Sequence, residues 1–106
     1  MEAALKALAE PNRRRILTLV RDEELSAGEI ASHFDVSRPA VSQHLTVLKE
    51  AGLVHERRNG TRRLYSVRPE GFEDVKSFLE GFWDARLQAL KREAEREERK
   101  KRGKHD

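Results

Sequence analysis

The 106-residue sequence contains no cysteine, which excludes disulfide frameworks, zinc ribbons and thiol chemistry. It has no apolar run long enough to span a membrane. Its opening stretch, MEAALKALAE, places Glu2 at the second position and offers no apolar h-region, so no signal peptide is expected. The expected setting is therefore cytoplasmic and away from membranes. Histidine is sparse: His33, His44 and His55 fall in three different segments and His105 near the end, with no carboxylate cluster beside any of them. There is no glycine-rich phosphate loop and no carboxylate pair that belongs to one cleft, so no metal site, no cofactor and no enzymatic activity are expected.

Charge, in contrast, is abundant. Lys and Arg number 22 against 19 Asp and Glu, a net charge of +3. Residues 91–106 hold eight of the basic and five of the acidic groups, which leaves residues 1–90 with fourteen of each. Net charge alone therefore says nothing about nucleic acid. Clustering says more: RRR at 13–15 and ERRNGTRR at 56–63 are local basic patches, and the acidic residues Asp22, Glu23 and Glu24 are expected to sit elsewhere.

The patterning reads as helix, helix, helix, tight turn, helix, β-hairpin, helix. Residues 2–9 form a short amphipathic helix with Leu5 and Leu8 three apart, and Pro11 opens a second helix whose stripe is Ile16, Leu17, Leu19 and Val20. Ser26 and Glu29 have the spacing of a capping box for a third helix buried through Ile30, Ala31 and Phe34. Ser37 caps the fourth, which closes at Lys49 and Gly52. The run LVHERRNGTRRLYSV then reads as two strands about Asn59-Gly60, since both central residues of a type I′ turn need positive φ. Pro69 begins a long helix over residues 69–98. Residues 1–90 are expected to form a single domain, and residues 99–106 a charged tail without fixed structure. The expected fold is mainly α with a small β-hairpin, the arrangement of a winged helix-turn-helix.

The fourth helix is two-sided. At about 100° per residue Val41, Leu45 and Leu48 lie within ~60° of one another and form a buried seam. Pro39, Ser42, Gln43 and Thr46 lie opposite, flanked by Arg38 and Lys49. Gln pairs bidentately with adenine, Arg with guanine, and Ser or Thr with phosphate or a base edge, so this face suits the major groove of double-stranded DNA. Ser37 caps a helix end whose free N–H groups suit a phosphate, and the small residues Ala40 and Ser42 allow close approach. His44 lies beside the apolar seam, where a phosphate or base contact and a hydrogen-bonded boundary role are both open. In the hairpin, a loop at Asn59-Gly60 sets Arg57 opposite Arg62 and Glu56 opposite Arg63. Like charges directly opposite are unfavourable, so Arg57 and Arg62 call for an anion such as the DNA backbone. Arg58, Asn59 and Arg63 share this basic tip.

The last helix is apolar over too wide an arc. Phe72, Val75, Phe78, Leu79, Phe82, Trp83, Leu87 and Leu90 spread over about 180°, where one core needs only about 100°. A second copy is the simplest cover, giving a homodimer that also uses Leu5 and Leu8 and matches a pseudo-palindromic DNA site.

The stretches LKALAEPNRRRILTLV, LSAGEIASHFDVSRPAVSQHLTVLKEAGLV and RRNGTRRLYSV resemble the ArsR/SmtB family of bacterial winged-helix transcriptional repressors over about residues 3–90. The resemblance implies a homodimer joined through the first and last helices, a recognition helix at residues 37–51, a hairpin wing, and DNA-facing Ser37, Arg38, Ala40, Ser42, Gln43 and His44. Metal-sensing members carry ELCVCDL in the third helix. Here the matching ELSAGEI places Ser26 and Gly28 where the two cysteines would stand, and residues 69–90 contain no histidine for a last-helix zinc site. The resemblance is thus to members without a metal site. Two other readings remain: a winged-helix module that binds an acidic protein, and a repressor released by a small apolar ligand held among the aromatic residues.

Overall fold

In the computed structural model, which describes residues 1–105 with side chains through Lys100, residues 1–75 form one compact unit and the chain from Lys76 onward a second. The elements are α1 (Glu2–Leu8), α2 (Pro11–Asp22), β1 (Leu25–Ser26), α3 (Ala27–Ala31), α4 (Arg38–Glu50), β2 (Val54–Asn59), β3 (Arg62–Val67), one 3-10 turn (Pro69–Phe72) and α5 (Glu73–His105).

Local chemistry fixes most of these boundaries. The Glu10 carboxylate accepts from the Arg13 backbone N–H at 3.0 Å and caps α2 ahead of Pro11. Ser26 and Glu29 close a full capping box on α3. Ser37 Oγ accepts from the Ala40 N–H and caps α4. At the other end of α4, Gly52 takes a φ of +77°, the Leu53 N–H reaches the Leu48 carbonyl at 2.9 Å, and the Gly52 N–H reaches that of Lys49. This is a Schellman closure, and it needs the left-handed backbone that glycine adopts without strain.

The sheet has three antiparallel strands in the order β1-β3-β2. The sequence reading foresaw only the hairpin; β1 is two residues long and pairs Leu25 with Tyr65 and Ser26 with Leu64. The turn also differs. Asn59 pairs with Arg62, so the loop is Gly60-Thr61, with positive φ at Gly60 alone (+67°). Glycine at the first loop position is the type II′ pattern, which strand twist accepts as readily as type I′. The register consequently places Arg57 opposite Leu64, Glu56 opposite Tyr65 and Arg58 opposite Arg63.

The core of residues 1–75 centres on Ile16, Val20, Ile30, Val41, Leu45, Leu48 and Leu53, each essentially fully buried. In α1 the buried residues are Ala4 and Ala7, while Leu5 is exposed and Leu8 packs only partly against the core. Val75 is 7% exposed and belongs to this core, with Phe72 packed against it. Both were expected on a surface between copies, but the chain's own core already uses them. The last helix begins at Glu73 rather than Pro69 and continues to His105, past the expected end at residue 98 and through most of the expected tail. Its Ala, Glu, Lys and Arg content favours helix, which accounts for the extension. Asp106 lies outside the described residues.

Gly71 meets the end of α4 closely: a Cβ there would lie 1.9 Å from the Gly52 carbonyl oxygen. Gly71→Ala is therefore expected to destabilise the fold by ~1–3 kcal/mol through overpacking. Gly28→Ala, whose nearest atom would be 3.8 Å away, should be neutral to stabilising within ~1 kcal/mol. Urea unfolding of the two variants checks the contrast.

Candidate nucleic-acid interface

The helix α4 turns Val41, Leu45 and Leu48 into the core and leaves Arg38, Pro39, Ser42, Gln43, Thr46 and Lys49 exposed, with Ala40 half-buried. The apolar seam sets the rotation of the helix, and the polar row follows. Ser37 is engaged as the cap. The Thr46 hydroxyl donates to the Ser42 carbonyl at 3.0 Å. Ser42 and Gln43 side chains make no hydrogen bond among the described residues, and Arg38 has no ion-pair partner there.

His44 stands apart from this row. Its ring is half-buried, with Nδ1 3.5 Å from the Arg13 guanidinium and Nε2 3.8 Å from the Glu10 carboxylate. Of the two readings open for it, the geometry matches the boundary role.

Alternation along the hairpin sorts its arginines onto two faces. One face carries Glu56, Arg58, Arg63 and Tyr65 and lies toward α4. There Lys49 Nζ donates to Glu56 at 2.8 Å, Arg63 approaches the same carboxylate at 3.5 Å, and a cleft between helix and hairpin is lined by Ser42, Thr46, Lys49, Glu56, Arg63 and Tyr65. A second cleft joins Arg38 and Ser42 to Thr61, Arg62 and Arg63; Thr61 had no signal in the sequence. The other face carries Arg57, Asn59, Arg62 and Leu64.

Arg57 and Arg62, for which an external anion was expected, have internal ones. Glu24 takes Arg57 in a two-point pair, Nε at 3.0 Å and Nη2 at 2.7 Å. Glu29 takes Arg62. Glu24 was expected to lie away from the basic patches, yet β1 brings it to the hairpin. The like-charged pair that is directly opposed is Arg58 and Arg63, and Arg58 has no ion-pair partner among the described residues. The need for an anion has moved from one face of the hairpin to the other. Asn59, in the same basic tip, is exposed and pairs with Arg62 across the ladder.

The other basic run is structural. Arg13 Nε and Nη2 donate to the carbonyls of Ala7 and Lys6, Arg14 Nη1 donates to that of Leu8, and the Arg15 guanidinium sits 4.6 Å from the centre of the Phe34 ring. Arg13 and Arg14 thereby satisfy the Ala7 and Leu8 carbonyls that the end of α1 leaves open, and Arg13 shares the Lys6 carbonyl with the Ala9 N–H. No group of three or more His, Cys, Asp or Glu side chains that could hold a metal occurs among the described residues. No helix among them is long and apolar enough to cross a membrane.

A family model described as "Bacterial regulatory protein, arsR family" matches residues 10–56, from the α2 cap into the first strand of the hairpin. The chain belongs to this family. It is 45% identical over 86 residues to the HTH-type transcriptional regulator Rv2034 of Mycobacterium tuberculosis, covering 81% of this chain and 80% of that one. It is 35% identical to the transcriptional repressor SdpR of Bacillus subtilis, covering 77% and 91%. Among solved structures, a homodimeric winged helix-turn-helix DNA-binding domain from Mycobacterium bovis superposes with a TM-score of 0.64 at 31% identity, covering 78% of this chain and 77% of that one.

The carboxylates that pair with the hairpin arginines and Lys49 are acid-shifted. The hydrogen bond from Arg57 lowers Glu24, the Ser26 backbone N–H lowers Glu29 ahead of Arg62, and Lys49 lowers Glu56. Each contribution is complete above the ordinary carboxylate range, about pH 4.3, and is lost as pH falls through the depressed value in the folded chain. The urea midpoint should therefore drop between pH ~5 and ~3, and Glu24→Gln with Glu29→Gln should flatten that drop. The flattening should be slight because the pairs are exposed, and a steeper acid drop in the double variant would count against them.

Proposed function

We propose that this ArsR-family chain is a homodimeric transcriptional repressor that binds a pseudo-palindromic operator without sensing a metal. The observation that carries the proposal is the free polar row of α4, Ser42 and Gln43 beside the unpaired Arg38, held outward by a fully buried seam and bordered by the Arg58–Arg63 pair. Gln43 would pair with a base edge in the major groove, Arg38 with guanine or phosphate, and Ser37 and Ala40 would line the approach of the backbone at the helix N-terminus. Pro39 and Thr46 would pack along the groove wall, while Lys49 would turn from Glu56 to a phosphate. On the wing, Arg58 and Arg63 would take phosphates and add affinity rather than base preference.

Phe78, Leu79, Phe82, Trp83, Leu87 and Leu90 are 49–67% exposed in the single chain. A patch of this kind marks an interface, and the homodimeric relative supports a second copy as its cover. Leu5 would join it. A two-fold dimer presents two recognition helices, and half-sites ~34 Å apart would receive them. Repression as the outcome is supported by the name of the Bacillus subtilis relative. The absence of a thiolate pair at Ser26 and Gly28 supports regulation without soft metals.

Mobility shifts on DNA upstream of its own gene test the reading. Gln43→Ala should relax preference at one base position, a loss of ~1–3 kcal/mol on the preferred site only. Arg58→Ala with Arg63→Ala should weaken binding to every duplex and lower the salt slope by about 2 per subunit, about 4 for the dimer. Equal losses from Gln43→Ala on all sequences would contradict base reading. Phe82→Glu with Trp83→Glu should yield a folded monomer by sedimentation; a dimer that survives would contradict the assigned interface.

A further inference from the structure

We infer that Glu24 and Glu29 are positioning residues for DNA binding: they hold Arg57 and Arg62 as two struts that fix the wing against the body of the domain. Arg57 and Arg62 are then supports, and the phosphate-binding cations of the wing are Arg58 and Arg63. This rests on the DNA-binding reading above and assigns different work to the two faces of the same hairpin.

The argument starts from the sheet. Pairing between β1 and β3 ends at Ser26 and Leu64, so beyond that rung the hairpin strands pair only with each other. A two-stranded ribbon is marginally stable alone, and this one carries the directly opposed Arg58 and Arg63. The two ion pairs catch it where backbone support stops. Arg57, on β2 opposite Leu64, is gripped at two points by Glu24, just before β1. Arg62, on β3 next to the loop, meets Glu29 in α3. One strut serves each strand: the Arg57 strut lies on the face away from α4, while Arg62 also borders the cleft it shares with Arg38 and Ser42.

The acidic ends are themselves anchored. Glu29 Oε1 accepts from the Ser26 N–H in the α3 capping box, and Ser26 is also the last residue of β1. Wing, strand and helix cap therefore meet at one carboxylate. An exposed ion pair contributes little to global stability. Its effect here is geometric: it selects the wing's angle from those a free ribbon would sample, and the order so imposed is not lost on binding.

Neutral and exchanged variants, measured on a mixed-sequence duplex at low salt, separate this from the alternatives. Arg57→Gln and Glu24→Gln should each weaken binding by up to ~5-fold, the upper range of a surface ion pair expressed as an equilibrium. Glu24→Gln should do so although it makes the chain more positive. The salt slope should stay unchanged in Arg57→Gln, because no phosphate contact is removed. The exchange Glu24→Arg with Arg57→Glu rebuilds the strut with its charges reversed and should restore wild-type affinity. Tighter binding by Glu24→Gln would make that carboxylate a competitor for the arginine and overturn the inference. So would failure of the exchange to rescue binding, with the fold intact by circular dichroism, since Arg57 would then be a phosphate ligand. A wild-type chain that ignores the duplex refutes the functional reading instead.

Discussion

Three buried side chains on α4 set the orientation of everything else that faces outward. Val41, Leu45 and Leu48 are each at most 1% exposed. In a core packed to solid density they admit one rotation of the helix about its axis. Because the polar row is on the same rigid helix, that rotation also determines where Ser42 and Gln43 point. The Ser37 cap and the Schellman closure at Gly52 fix the helix ends, so neither fraying nor register drift blurs the row. The orientation of the proposed base-reading row is thus a consequence of apolar packing on its far side.

Electrostatics then divides a large number of cations into two groups. Arg13 and Arg14 hold open carbonyls of α1, Arg15 stacks on Phe34, and Arg57 and Arg62 are held by glutamates. What remains unpaired near α4 is a small set, Arg38 and Arg58, with Arg63 shared through Glu56. Balanced charge in residues 1–90 is consistent with this division. A chain need not be basic overall to bind DNA if its carboxylates neutralise the arginines that serve the fold.

The helices and their caps were legible from sequence because their signals are local: a proline in the first turn, a Ser-x-x-Glu box, a glycine past the last turn. What escaped depended on partners distant along the chain. Two residues of β1 carry no strand pattern, so neither the third strand nor the arrival of Glu24 and Glu29 at the wing could be foreseen. The hairpin register slipped by one position because Leu64 is buried on one face and Tyr65 half-buried on the other. An alternating pattern that is partly covered on both sides does not choose between adjacent loops. That single step moved the anion requirement from Arg57 and Arg62 to Arg58 and Arg63. In the last helix the apolar arc was visible, but Phe72 and Val75 were assigned to a partner because sequence alone does not say where the domain's own core ends.

The most direct test of the central claim, that the buried seam aims the Ser42–Gln43 row at DNA while the Glu24–Arg57 strut stays clear of it, is an amide NMR titration of the intact protein with duplex DNA. Shifts concentrated at residues 38–46, 58 and 63, with Glu24, Arg57 and His33 undisturbed, are the predicted result. Shifts confined to α2 or the C-terminal part of α5, with α4 silent, would contradict it.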